Sequence, residues 1–282
     1  MPPATGNPII AACAAAHGGA SLSGASSATS GRGCLPPRSN RLASRDGTRF
    51  IHRSLVRRSV RPVRLVVFDV DGTLVDSQHL IVAAQSVAFT EHGLPTPERR
   101  EALSVVGLSL PQAFRRLVGE AGPVESLAES YKRAFNALRL DPSYEEPLFP
   151  GMGELLARLH ARDDLQLGIA TGKSRRGVEH LIAANGWEGW FATTQTADDA
   201  PSKPDPAMLE QAMAEAGAEP SSTMMIGDTT YDMAMAVSAG VVAVGVAWGY
   251  HRPGALFGAG AVTVADDARA LAALLNGRMP AV

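Results

Sequence analysis

In the segment LVVFDVDGTLVDS, residues 65–77, two aspartates close an apolar run. Asp69 and Asp71 stand two positions apart, with Gly72 directly behind them. Two-residue spacing on an extended segment points both carboxylates to one side, and Gly72 lets the chain turn sharply beneath them. Further on, GIATGKS supplies Thr171, Gly172 and Lys173, the loop APSKPDP supplies Lys203, and MMIGDTTYD supplies Asp228 with Asp232 four positions later. Carboxylates converging without a counter-charge repel one another, so Asp69, Asp71 and Asp228 at one point require a cation. Only oxygen ligands are on offer, and the seven histidines show no paired spacing. A hard cation, Mg²⁺, is therefore expected. Lys203 and the amides after Thr171 would hold a second, anionic partner. Carboxylates, magnesium, a lysine and a hydroxyl–amide nest together describe phosphoryl-transfer chemistry.

Such residues need strands to carry them. RLVVFDV, LQLGIAT, TMMIGD and VVAVGVA are short apolar runs, each read as a strand. Helical stretches separate them: PDPAMLEQAMAEAG, with Asp205 as N-cap, Pro206 in the first turn and Gly217 past the end, and TTYDMAMAVSAG, which closes on Gly240. Near-continuous apolar strands alternating with helices imply an α/β fold, a Rossmann-like doubly wound parallel sheet covered on both faces. Ligands of such sheets bind outside the carboxyl ends of the strands, which is where the polar sets fall.

Residues 78–147 break the alternation. Leu80, Ile81, Ala84, Val87 and Ala88 are spaced for one helix face that stops at Gly93, SLPQ (Ser109 to Gln112) fits a capping box, and ESLAESYKRAFNAL makes another helix. About 70 helical residues between the first two strands must fold as a small α-helical cap domain over the sheet edge. The expected organisation is a catalytic core over 60–77 and 148–282, with the cap over 78–147.

The first 59 residues read differently. Their Gly/Ser/Ala-rich and Arg/Ser-rich composition fits an organelle transit peptide, and equally a disordered extension or a misplaced start. Both cysteines, Cys13 and Cys34, lie there, so no disulfide or thiolate site is expected beyond it. Residues 1–64 carry ten of the 26 bases and one of the 28 acids, leaving 16 bases against 27 acids, a net charge of −11, for 65–282. That balance argues against nucleic-acid binding. No stretch offers about 18 consecutive apolar residues, so no membrane span is expected. The expected location is the cytoplasm, or an organelle if the tail is a transit peptide.

The motifs DVDGT, ATG, KPDP and GDTTYD, in that order, resemble those of the haloacid dehalogenase superfamily, and the insert after the first resembles the helical cap of its phosphoglycolate phosphatase-like members. The resemblance, over about residues 64–275, implies a phosphatase acting on small phosphate monoesters through an aspartyl-phosphate intermediate, phosphoglycolate among the candidates. It implies Asp69 as nucleophile and Asp71 as general acid/base, with Thr171, Gly172 and Lys203 binding phosphate. Magnesium would be held by Asp69, the backbone carbonyl of Asp71 and Asp228, with Asp232 behind them. The partner implied is a small phosphorylated metabolite, and the state a monomer or homodimer.

Gly107 fits the cap loop that faces the active site in related phosphatases, and Arg115 and Arg116 are the nearest cap cations for an anionic leaving group. The segment WGYHRP, which holds His251 and Arg252, resembles one that follows the fifth strand in phosphoglycolate phosphatases. A β-phosphoglucomutase-like phosphomutase shares the core motifs and is the closest rival; a non-catalytic binding module is a reading from another class.

Overall fold

The structure is a computed structural model that describes residues 64–276. The extension expected over 1–59, and both cysteines, lie outside the described residues. Six parallel strands form one sheet: β1 (Arg64–Phe68), β2 (Leu165–Ala170), β3 (Phe191–Gln195), β4 (Thr223–Gly227), β5 (Val242–Val246) and β6 (Thr263–Ala265), in the order β3-β2-β1-β4-β5-β6. Four of these match the runs read as strands; β3 and β6 are additional edge strands. Each lacks a continuous apolar run: β3 is FATTQ and β6 only TVA, because an edge strand has one neighbour and is partly solvated.

Between β1 and β2 lie α1 (Gln78–Glu91), α2 (Arg99–Ser104), α3 (Leu110–Val118) and α4 (Val124–Leu138). Flanking the sheet are α5 (Met152–His160), α6 (Arg175–Asn185), α7 (Ala207–Ala216), α8 (Thr230–Ser238), α9 (Pro253–Gly258) and α10 (Ala268–Asn276). Alternation along β1 divides the interior into two cores. Val66 and Phe68 pack with Leu155, Val178 and Leu271 of α5, α6 and α10, while Leu65 and Val67 pack with Leu209, Met233 and Leu256 of α7, α8 and α9. Both faces are therefore dry, which is why the central strands are apolar throughout. The chain winds from β1 through β2 to β3 and then returns to the other side of β1 at β4. That reversal places the crevice between β1 and β4.

The insert has a core of its own, in which Ala84, Ala88 and Phe89 of α1 meet Phe114 of α3 and Leu127 and Tyr131 of α4. It is joined to the sheet layer by a second, small cluster of Val105, Leu108, Ala113 and Tyr231, by Tyr231 Oη donating to the Ser104 carbonyl at 2.8 Å, and by Ser109 N–H donating to Ser202 Oγ at 2.8 Å. Ser109 is the N-cap of α3, but its side chain makes no capping bond. Reciprocal capping boxes stand instead at α2, between Glu98 and Glu101, and at α8, between Thr229 and Asp232. Pro206 occupies the N-cap of α7, one position after the expected Asp205, whose Oδ1 accepts from Ala207 N–H at 3.0 Å. No helix among the described residues is long and apolar enough to cross a membrane.

Candidate active site

The pairing of Phe68 with Ile226 sets the ends of β1 and β4 side by side, so Asp69 and Asp228 leave the sheet next to each other. Asp69, Lys203, Asp228 and Asp232 are all fully buried. Lys203 Nζ stands 2.8 Å from Asp69 Oδ1 and 2.7 Å from Asp232 Oδ1. Asp232 is spoken for on both oxygens, since Oδ2 accepts from Thr229 N–H at 3.0 Å and Thr229 Oγ1 at 2.6 Å. Asp228 accepts from Thr73 Oγ1 at 2.9 Å and from Tyr250 N–H at 2.8 Å. Asp69 differs: the ammonium beside it lacks hydrogen-bond alignment, and neither buried oxygen has a hydrogen-bond partner among the described residues.

Three carboxylates against one ammonium leave an excess of two negative charges away from water. Burial is the largest cause that pushes Asp69 up to about 7, opposed by Lys203 and reinforced by Asp232. Burial, then Asp232 and Asp69, hold Asp228 well above the usual carboxylate range. Burial alone would lower Lys203, but Asp232 and Asp69 outweigh it and hold the ammonium above its ordinary value. Asp69, Asp228 and Asp232 offer oxygens within 4.8 Å of one another. Orphaned buried oxygens, a matching charge excess and an all-oxygen donor set fit a hard divalent cation at Asp69 and Asp228, with Asp232 committed to Lys203 behind them.

Asp71 belongs to a second cluster. Its Oδ1 accepts from Ser77 Oγ at 2.6 Å and from Lys173 Nζ at 2.9 Å. Lys173 also donates to Glu146 Oε1 at 2.7 Å, and Asp71 and Glu146 hold it above its ordinary value although burial alone would lower it. Tyr250 Oη lies 3.2 Å from Ser77 Oγ. The loop after β2 is tied in through Thr171, whose N–H donates to the Gln195 carbonyl and whose Oγ1 accepts from Lys173 N–H at 3.2 Å.

Gly172 meets the insert backbone to backbone. A Cβ there would stand 2.7 Å from the carbonyl oxygens of both Gly107 and Leu108, and Gly107 itself sits at φ +95°. Gly172→Ala therefore should push the 107–108 loop off the sheet edge, costing about 1–3 kcal/mol and lowering kcat/KM. Unchanged melting and turnover would mean that this loop moves aside freely.

The insert and the sheet edge enclose a cavity of about 300 Å³ that reaches Asp71, Gly107, Gly172 and Lys173. Arg115 and Arg116, expected to face the substrate, do not line it. Arg115 pairs with Glu120 at 2.9 Å, and Arg116 lies over the Tyr231 ring, 5.7 Å from its centroid. Helix geometry accounts for this placement: Leu110, Ala113 and Phe114 form the cavity face of α3 at i, i+3 and i+4, and the next two positions rotate away from it. His251 Nδ1 accepts from Thr230 N–H at 3.0 Å, Arg252 is the exposed N-cap of α9, and neither lines the cavity. Sequence reasoning named Lys173 beside Thr171 and Gly172 but gave it no role, and it missed Thr73, Ser77 and Tyr250, which carry no local signal.

Residues 66–246 match the haloacid dehalogenase-like hydrolase family. The chain belongs to that family. Its relatives include the "Probable phosphatase IndB" of Dickeya dadantii, 37% identical over 191 residues, covering 66% of this chain and 82% of that protein. The phosphoglycolate phosphatase of Synechococcus elongatus is 30% identical over 189 residues, covering 67% of this chain and 86% of that protein. The crystal structure of a hydrolase from Pseudomonas syringae superposes with a TM-score of 0.67 at 28% identity, covering 76% of this chain and 98% of that one. Within that range fall Asp69, Asp71, Thr171, Lys173, Lys203, Asp228, Asp232 and the whole helical insert, while Tyr250 lies just beyond it.

Proposed function

We propose that this haloacid dehalogenase-like hydrolase is a magnesium-dependent phosphatase of small phosphate monoesters, with Asp69 as nucleophile. The observation that carries the reading is Asp69, buried beside Asp228, with Oδ1 held only by the Lys203 ammonium at 2.8 Å and Oδ2 without a partner among the described residues. The unpartnered oxygen is free to attack phosphorus, forming an aspartyl phosphate that water then hydrolyses. Lys203, Thr171 and the Gly172 amide would hold the phosphoryl oxygens. Asp71, steadied by Ser77 and Lys173, would protonate the leaving alkoxide and then take a proton from the attacking water. Mg²⁺ held by Asp69, Asp228 and the Asp71 carbonyl would neutralise charge on the transferring group. The relatives' names nominate phosphoglycolate as one substrate to assay.

The test is release of inorganic phosphate from a panel of monoesters, with magnesium and after its removal by chelator. Turnover should vanish with the chelator and return with magnesium. Magnesium alone should stabilise the folded chain by about 2.7 kcal/mol at a hundredfold excess over its Kd, read as a rise in melting temperature. Asp228→Asn should need more magnesium for both effects. A melting temperature indifferent to magnesium would remove the metal from the reading, and isomerised sugar phosphate in place of free phosphate would make the chain a phosphomutase.

A further inference from the structure

Asp71 opens onto a cavity between the insert and the sheet edge. At about 300 Å³ it lies at the lower end of the size of small-molecule sites, about 300–1,000 Å³. Asp71 is in its floor. On the reading proposed above, Asp71 protonates the leaving oxygen, so the space beyond it receives the leaving group.

The walls are mixed: apolar and aromatic side chains of the insert share them with polar ones, among them Asn136 and Ser174. Ile81, Val106 and Leu110 line it together with a row of rings, Phe114, Tyr131 and Phe135. Phe114 and Tyr131 meet edge to face at 5.8 Å and 68°, and Tyr131 and Phe135 stand 5.7 Å apart. Such a row suits another flat ring, which can stack or pack edge-on against it. The cations nearest the floor are already matched. Lys173 lies 2.9 Å from Asp71 and 2.7 Å from Glu146, and Arg139 lies 3.9 Å from Glu146. Lys132 and Arg176 also line the cavity, but both are exposed to water, as is Asp198 beside them. At the floor a carboxylate on the leaving group would have to displace an existing ion pair, so a charged leaving group is left to Lys132 and Arg176 in the wetter part of the cavity.

One polar group in the lining is unsatisfied. Gln85 on α1 is 4% exposed. Its Nε2 donates to the Ala102 carbonyl at 3.1 Å, which sets the direction of the amide. Its Oε1 is buried and has no partner among the described residues. A buried acceptor left unpaired is costly, and a ligand that brings a donor to it is favoured over one that does not.

We infer that the preferred substrate is a phosphate monoester whose leaving group is an aromatic ring bearing an O–H or N–H donor, and that Gln85 is the residue that recognises the donor. The inference rests on the phosphatase reading, since it assigns the cavity to the leaving group.

The experiment compares kcat/KM of the full chain with magnesium on phenyl phosphate, the hydroxyphenyl phosphates with the hydroxyl at each ring position, and phosphoglycolate. The best hydroxyphenyl phosphate should exceed phenyl phosphate by about tenfold, and phenyl phosphate should exceed phosphoglycolate. Gln85→Met, which keeps the length and removes the acceptor, should collapse the hydroxyl advantage to a ratio near one. Because it also deprives the Ala102 carbonyl of its donor, Phe135→Ala provides a second arm: it should lower kcat/KM on phenyl phosphate more than on phosphoglycolate. Phosphoglycolate turned over as well as the rings, or a hydroxyl advantage that survives in folded Gln85→Met, overturns the inference while leaving the phosphatase reading intact. Failure of the phosphatase reading looks different: no phosphate release that depends on Asp69 from any of these esters, which would end both.

Discussion

Asp69→Asn should abolish turnover while leaving the chain folded and, without metal, more stable than the parent at neutral pH. The amide cannot attack phosphorus, so the rate should fall by roughly 10⁴–10⁶-fold, as when a nucleophilic unit is disabled. The gain in stability follows from the environment of the carboxylate. Its oxygens are buried without hydrogen bonds, and burial, only partly offset by Lys203, pushes it from 3.8 up to about 7. A carboxyl group whose folded value lies above its unfolded value favours the native state only while protonated. Its contribution is fully present below the ordinary range and is lost as pH rises from 3.8 to about 7. Asn cannot ionise and escapes that loss. The melting temperature of the variant minus that of the parent, both metal-free, should therefore grow across this window and level off above it. A flat difference would mean that Asp69 is not the group titrating there; retention of more than a few per cent (~3%) of turnover would exclude the covalent route.

Lys203→Met should do the opposite to stability. Lys203 is fully buried between Asp69 and Asp232, 2.8 and 2.7 Å from their oxygens. Taking it away strands those carboxylates in the interior, and removing one partner of a buried pair costs about 3–5 kcal/mol. For a chain of this size that is a fall of roughly 10 °C in melting temperature, with turnover lost as well because the phosphoryl group loses its ammonium. Adding Asp69→Asn to Lys203→Met should return part of the loss, since one fewer buried charge is left unpaired. The two substitutions should therefore couple strongly in a double-mutant cycle. Additive effects would show that the lysine and the aspartate act separately, and an unchanged melting temperature for Lys203→Met would show that the site tolerates its own charge excess.

The polar sets of this site were legible because each ends an apolar run. Asp69 follows LVVF, Thr171 follows LGIA and Asp228 follows MMIG, and a strand buried on both faces has no other reason to finish on a carboxylate or hydroxyl. The helical insert was legible for a similar reason: seventy-odd residues without a strand-like run stand between two that are plain. The edge strands were not, because Phe191–Gln195 and Thr263–Ala265 are half-solvated and carry Thr and Gln where the inner strands carry Val and Ile.

Partnership was beyond the reach of periodicity. Thr73 finds Asp228 across 155 positions of chain because β1 and β4 pair in a particular register, and no local pattern in either segment encodes that register. Tyr250 and Ser77 meet beside Asp71 by the same route. The cap arginines show the complementary limit. A cation on a polar helix face looked like a substrate contact, whereas the face of α3 that meets the cavity is the apolar one, with Leu110, Ala113 and Phe114. Spacing tells which residues share a helix face, but a core and an apolar binding cavity make the same demand on that face. The four inner strands, the helical insert and the polar residues at the strand ends can be read from the sequence, because burial dictates the residue types of each element one at a time. The tertiary structure alone sets which side of the insert faces the cavity, holds Lys173 between Asp71 and Glu146, and leaves an oxygen of Gln85 unpaired among the described residues, because each depends on two elements meeting at one place.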